Sequence, residues 1–105
     1  MRYEVILAPD AAKAYKKLSA RIRSQVRDAL EIHLRHEPTK VSKSRIKRLR
    51  GVSRPRYRLR VNEIRVFYDV KETTVEILAI LQKTDAQKWL DKEGIPDTGG
   101  RVSES

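Results

Sequence analysis

Residues 56–70 read Arg-Tyr-Arg-Leu-Arg-Val-Asn-Glu-Ile-Arg-Val-Phe-Tyr-Asp-Val, and the reading of this stretch decides the fold. From Arg56 to Val61 basic and apolar side chains alternate strictly; from Ile64 to Val70 the alternation is nearly as clean. A period of two marks strands with one covered and one open face. Asn62-Glu63 between the two runs fits a two-residue hairpin turn. Such a turn fixes the pairing: Val61 faces Ile64, Arg60 faces Arg65, Leu59 faces Val66 and Arg58 faces Phe67. Tyr57, Leu59, Val61, Ile64, Val66 and Tyr68 then share a core face, and Arg58, Arg60 and Arg65 share the other. On this register Phe67, Leu78 and Ile80 fall on the arginine face, where they would line a cleft, offer a base-stacking platform or lie under a last helix.

Working outward, residues 2–8 are rich in β-formers and predict an opening strand. Pro9-Asp10 interrupts it, with Asp10 suited to cap a helix carrying Ala11, Ala14, Tyr15 and Leu18 on one face. Ser19 is placed to cap a second helix with the stripe Ile22, Val26, Ala29, Leu30 and Leu34, stopped by Pro38. Ile46 and Leu49 suit a short strand ended by Gly51. Residues 74–82 are apolar on both faces, as in a central strand covered twice. Thr84 or Asp85 would cap a short last helix through Leu90. The expected architecture is α+β: a strand, a helical hairpin, a mostly antiparallel sheet of four to five strands, and a short C-terminal helix. Residues 1–92 would form one domain and residues 93–105 a flexible tail.

The 105 residues carry a net charge of +10 and no cysteine. Disulfide scaffolds and cysteine metal sites are excluded, and a reducing cytoplasm is the expected compartment. No apolar run approaches the ~20 residues of a membrane span. The charge is concentrated. Residues 40–71 hold twelve basic side chains against Glu63 and Asp69, so this segment alone accounts for the whole excess. A concentrated basic stretch points to a polyanionic partner. Arg60 opposite Arg65 is a like-charge pair that weakens the ladder, which makes sense where an anion normally sits between them. His33 and His36 lie three apart but lack further ligands, so neither a metal nor a cofactor is expected. Gly-rich phosphate loops, nucleophile motifs and paired carboxylates are also missing, so an enzyme built on this chain would work with Arg, Lys and aromatic side chains.

The pieces resemble, in order, the RelE/ParE superfamily of toxins from bacterial type II toxin–antitoxin systems. The resemblance rests on the opening strand before Pro9-Asp10-Ala11-Ala12-Lys13 and Lys17-Leu18, and on Lys47-Arg48-Leu49-Arg50-Gly51. It continues through Tyr57-Arg58-Leu59-Arg60-Val61, Ile64-Arg65-Val66-Phe67-Tyr68-Asp69-Val70 and Trp89-Leu90. RelE-like members cleave mRNA on the ribosome; ParE-like members poison DNA gyrase without being nucleases. The arginines on the central strands lean towards the RelE-like branch, with a gyrase poison or a non-catalytic RNA-binding module as alternatives. The RelE-like reading implies a metal-independent endoribonuclease that inhibits translation, with ribosome, mRNA and an acidic antitoxin as partners. Arg60 and Arg65 would stabilise the phosphorane, with Arg58 assisting. Lys83 stands where the family usually has arginine and would serve as a base. Trp89 stands in place of a tyrosine and, with Phe67, would contact RNA bases.

Overall fold

In the computed structural model, which describes residues 2–97, the hairpin at Asn62-Glu63 is the centre of the sheet. Strand β1 (Glu4–Leu7) leads into helices α1 (Pro9–Lys17) and α2 (Ala20–Ala29), the latter continued by a π-helical turn at Leu30–Leu34. Then come β2 (Ile46–Arg48), β3 (Val52–Arg54), β4 (Tyr57–Val61), β5 (Ile64–Lys71), β6 (Thr74–Gln82), α3 (Lys83–Glu93) and β7 (Ile95–Pro96). The main sheet has the order β1-β6-β5-β4-β2, parallel between β1 and β6 and antiparallel elsewhere. This is the expected α+β class.

The β4–β5 register follows the alternation: Val61 pairs with Ile64, Arg60 with Arg65, Leu59 with Val66 and Arg58 with Phe67. Asn62 takes φ 53°, a left-handed value that asparagine tolerates and a tight hairpin uses. The core face of the hairpin packs with Val26, Ala29, Leu30 and Leu34 of the helical hairpin and with Val75 and Ile77 of β6. Ser19 caps α2 as expected, its Oγ accepting the Ile22 N–H at 3.3 Å.

The helix starts elsewhere shift. Pro9 opens α1 with Ala8 as its cap, and Asp10 sits in the first turn, where its charge still suits the helix dipole. Helix α3 begins at Lys83, ahead of Thr84 and Asp85, and runs beyond Leu90 to Glu93. The second helix ends at Leu34, before Pro38. Pro38 is buried, and its carbonyl accepts the Tyr68 hydroxyl at 2.6 Å. Burial, and then neighbouring Tyr57, push the Tyr68 phenol far above its ordinary pKa, so it stays protonated and keeps that donor. Tyr57 stacks on Tyr68 with ring centres 5.5 Å apart.

The second face carries one correction, at Ile80. Helices cover both sides of the sheet: α1 and α2 cover one, and α3 packs on the other over Phe67, Ala79 and Leu81. Ile80 does not share the arginine face. A register shift at Phe67/Tyr68 pairs Phe67 with Ala79 and Tyr68 with Ile77, which leaves Leu78 as the extra residue. A bulge of one residue inverts the alternation, so Val75 and Ile77 before it and Ile80 after it all point to the helical hairpin.

The first residues of the expected tail belong to α3 and to a strand. Ile95–Pro96 pairs with Val52–Arg54 in a second, two-stranded sheet, and Ser53 Oγ donates to the Ile95 carbonyl at 3.2 Å. Gly94 lets the chain leave α3: a Cβ there would stand 2.5 Å from the Leu90 carbonyl oxygen. The remainder of the expected tail, residues 98–105, lies outside the described residues.

Candidate functional site

The arginine face is organised in two rows that cross the strands. In the first, Arg60 pairs with Arg65 across β4–β5, and the Arg60 N–H donates to the Arg45 carbonyl at 2.8 Å, so Arg45 continues the row to the sheet edge. In the second, Lys47 of β2 pairs with Arg58, and Arg58 with Phe67. Neighbouring strands lie about 4.8 Å apart, so the first row spans roughly a nanometre of cationic surface and the cations of the second about half of that. The sequence reading picked out Arg58, Arg60 and Arg65 and left Arg45 and Lys47 in a broad basic footprint. The signal for those two is the same alternation, Arg45-Ile46-Lys47, too short to stand out alone.

The three arginines differ in how they are held. Arg58 is half-buried, and its Nε is buried without a hydrogen-bond partner. Burial first, then the charges of Arg65 and Arg60, lower its pKa from the ordinary arginine value. Arg65 donates from Nη1 to the carbonyls of Asn62 at 2.7 Å and Ile64 at 3.0 Å, which ties it to the turn. Among the described residues, the Arg60 guanidinium has no hydrogen bond or ion pair. It is exposed and available to an anion. This arrangement concentrates donors whose fork geometry matches phosphate oxygens.

Lys83 stands at the first position of α3, its N–H donating to the Glu63 carbonyl at 2.7 Å. Its ammonium lies 3.3 Å from the Glu63 carboxylate. The resemblance gives Lys83 the part of a base; the structure sets a carboxylate against it. Phe67 is 2% exposed and stacks on Trp89 with ring centres 5.2 Å apart. Phe67 is therefore the floor of the small core under α3 rather than an open platform, and Trp89, half-buried, is its lid. Trp89→Ala removes that stack and should cost about 2 kcal/mol. Hydrogen exchange should show faster opening of α3 than of β4 and β5.

Arg54 is exposed but already paired with acids. It bridges Asp69 (Nη1 to Oδ2, 3.0 Å) and Glu76 (Nη2 to Oε1, 3.0 Å), and Asp69 Oδ1 also accepts the Arg56 N–H at 2.6 Å. Around the sheet edge, His33 lines a pocket of about 310 Å³ with Lys40, Ser42 and Arg45. Burial, then the charge of Arg45, lower the His33 pKa, so folding favours the neutral ring. Its contribution to stability is present above the ordinary histidine value of about 6.5 and is lost as pH falls through the lowered one. The melting temperature of His33→Gln should therefore fall less between pH 7 and pH 5 than that of the wild type.

Residues 5–86 match the family model described as the ParE toxin of the type II toxin–antitoxin system parDE. The chain belongs to this toxin family. Among solved structures, the toxin resembles the archaeal RelE–RelB complex from Pyrococcus horikoshii OT3 at 26% identity and a TM-score of 0.65, covering 79% of this chain and 97% of that one. It resembles a RelBE-type toxin–antitoxin complex from Mycobacterium tuberculosis at 27% identity and a TM-score of 0.58, covering 78% and 99%. It also shares its fold with a mutant of the Escherichia coli toxin RelE in the free state, at 21% identity and a TM-score of 0.64, covering 85% and 92%. No curated protein matches the toxin significantly. Among the described residues, no helix is long and apolar enough to cross a membrane.

Proposed function

We propose that this toxin is an mRNA interferase: it cuts RNA on the ribosome and thereby stops translation. The observation that carries the reading is the pair of arginines facing each other on β4 and β5, Arg60 and Arg65, with Arg58 half-buried beside them. Cations held together at a cost to the fold are suited to a site where negative charge appears during reaction. The substrate is the phosphodiester with its neighbouring 2′-hydroxyl. The 2′-oxygen bonds to phosphorus, its proton passes to hydroxide from the solvent, and Arg60 and Arg65 hold the two charged oxygens of the phosphorane. The bond to the 5′-oxygen then breaks. Lys83, whose ammonium lies 3.3 Å from Glu63, hands that oxygen a proton as it leaves. Arg58 grips the flanking phosphate, and Trp89, half-buried on α3, offers an aromatic edge to a base. The products are a 2′,3′-cyclic phosphate and a 5′-hydroxyl, and the cationic work is done by side chains. Docking on ribosomal RNA would draw on the excess positive charge of residues 40–71 and so weaken steeply with salt.

The Pyrococcus and Mycobacterium structures are toxin–antitoxin complexes, which supports a cognate antitoxin for this toxin as well. An acidic antitoxin is the natural complement to the basic face. The cytoplasm is where such a toxin would act.

A second reading has one observation in its favour, the ParE description of the family model. On that reading the toxin poisons DNA gyrase and cuts nothing. Primer extension on cellular mRNA after induced expression separates the two. The interferase reading expects new 5′ ends within translated frames in the first minutes. Intact messages with induction of the DNA-damage response would overturn it in favour of gyrase.

A further inference from the structure

A cleft of about 740 Å³ lies on the arginine side of the sheet, between the β2–β3 segment and α3. It adjoins the arginine rows directly, because Lys47 both lines the cleft and pairs with Arg58. Its size is that of a small-molecule site. One wall carries the cations Lys47 and Arg50, and the floor carries Leu49 and Leu90. The other wall, on successive turns of α3, carries Gln87 and Asp91, with Gln87 Nε2 donating to Asp91 Oδ1 at 2.9 Å.

Asp91 is the informative residue. Among the described residues lining this cleft it alone is acidic. A carboxylate beside a phosphate track repels the backbone, so its place there has to be accounted for by what it accepts. Its bond from Gln87 occupies one oxygen and leaves Oδ2 open; Gln87 retains its second amide hydrogen and its carbonyl oxygen. A carboxylate with one amide donor at its side matches the edge of a base that donates twice and accepts once. Guanine presents that set: N1–H and N2–H donate to the carboxylate, and O6 accepts from the amide. Uracil presents one donor between two carbonyls, which would face the carboxylate oxygens. Leu49 and Leu90 offer apolar surface for the ring, and Lys47 and Arg50 offer charge for the attached phosphate.

We propose that this cleft is a nucleobase subsite that reads guanine next to the cleaved bond, with Asp91 as the specificity-determining residue. The proposal rests on the RNA-cleaving reading and adds where and how the substrate base is chosen. It requires no movement of α3, since the walls are already apart.

Titration of the isotopically labelled full chain with the four ribonucleoside 5′-monophosphates, followed by NMR, tests it without requiring catalysis. GMP should shift the amides of Gly51, Leu90 and Gly94 and bind about tenfold more tightly than UMP, the discrimination expected of a bidentate base contact. UMP should shift β4 and β5. Asp91 is exposed on α3, so Asp91→Asn should fold as the wild type does; it should remove the preference for GMP and bind UMP as well as, or better than, the wild type. Equal affinity for all four nucleotides, with shifts confined to β4 and β5, would overturn the guanine subsite and leave the RNA-cleaving reading standing. A guanine preference that survives Asp91→Asn would overturn the role of Asp91. Absence of binding by any nucleotide would likewise overturn the subsite, and the RNA-cleaving reading would stand or fall by primer extension alone.

Discussion

Arg60→Ala should abolish toxicity in an induced culture and leave the melting temperature unchanged or slightly higher. The two halves of this expectation come from different observations. Chemically, the Arg60 guanidinium has no internal bond to break, so on the interferase reading its removal would take away transition-state stabilisation directly. Loss of one preorganised donor of this kind slows a reaction by about 10²- to 10³-fold. Structurally, the Arg60–Arg65 pair is a like-charge contact across a ladder, worth up to about 1 kcal/mol against folding. Alanine relieves the repulsion, though it gives up some β-propensity. Arg65→Ala should be equally inactive but less stable than Arg60→Ala, because Arg65 also holds the carbonyls of Asn62 and Ile64. Arg60→Lys keeps the charge and loses the fork, so it should recover only part of the activity. Survival of induced cells is the first readout and single-turnover cleavage of ribosome-bound mRNA the second. Full toxicity from a stably folded Arg60→Ala would remove Arg60 from the site.

The register of this hairpin was legible because two independent local signals agree: alternation over both strands, and a turn of two residues with asparagine first. A one-residue slip would bury arginines, so the sequence admits one answer. The second face was harder to read. Residues 74–82 are apolar throughout, and such a run shows no change of phase where the bulge at Leu78 inserts itself. Ile80 was accordingly placed on the wrong face. The side on which α3 packs was open for the same reason, since a strand apolar on both faces does not say which helix covers which. The candidate site divides in the same way. Arg58, Arg60 and Arg65 were legible because they lie within one hairpin. The Lys83–Glu63 ion pair joins α3 to the hairpin turn, the Phe67–Trp89 stack joins residues twenty-two apart, and the cleft at Asp91 needs β2, β3 and α3 together. Contacts of that kind are decided by packing, which leaves no period in the sequence.

Leu59→Ala, one residue from Arg60, should lose toxicity for the opposite reason. Leu59 is fully buried, sits between Ile46 of β2 and Val66 of β5, and faces the helical hairpin. Truncating a buried leucine removes its transfer energy and leaves a cavity, about 3–4 kcal/mol together. Leu59 has little room to be replaced by collapse, because the strands on either side are pinned by their ladders. A domain of this size is stable by about 5–15 kcal/mol, so the change consumes a large share of it. Each kcal/mol moves the midpoint by roughly 4–8 °C, which places the variant on the order of 15 °C below the wild type. Leu59→Met, which nearly conserves volume, should lose less than about 1.5 kcal/mol and stay toxic. Thermal melts of the three variants beside their toxicity then separate the two faces of one strand. Arg60→Ala should be stable and inert, Leu59→Ala unstable and inert, and Leu59→Met close to wild type in both. A Leu59→Ala protein that melts within a few degrees of the wild type would show that β4 is not the centre of the core.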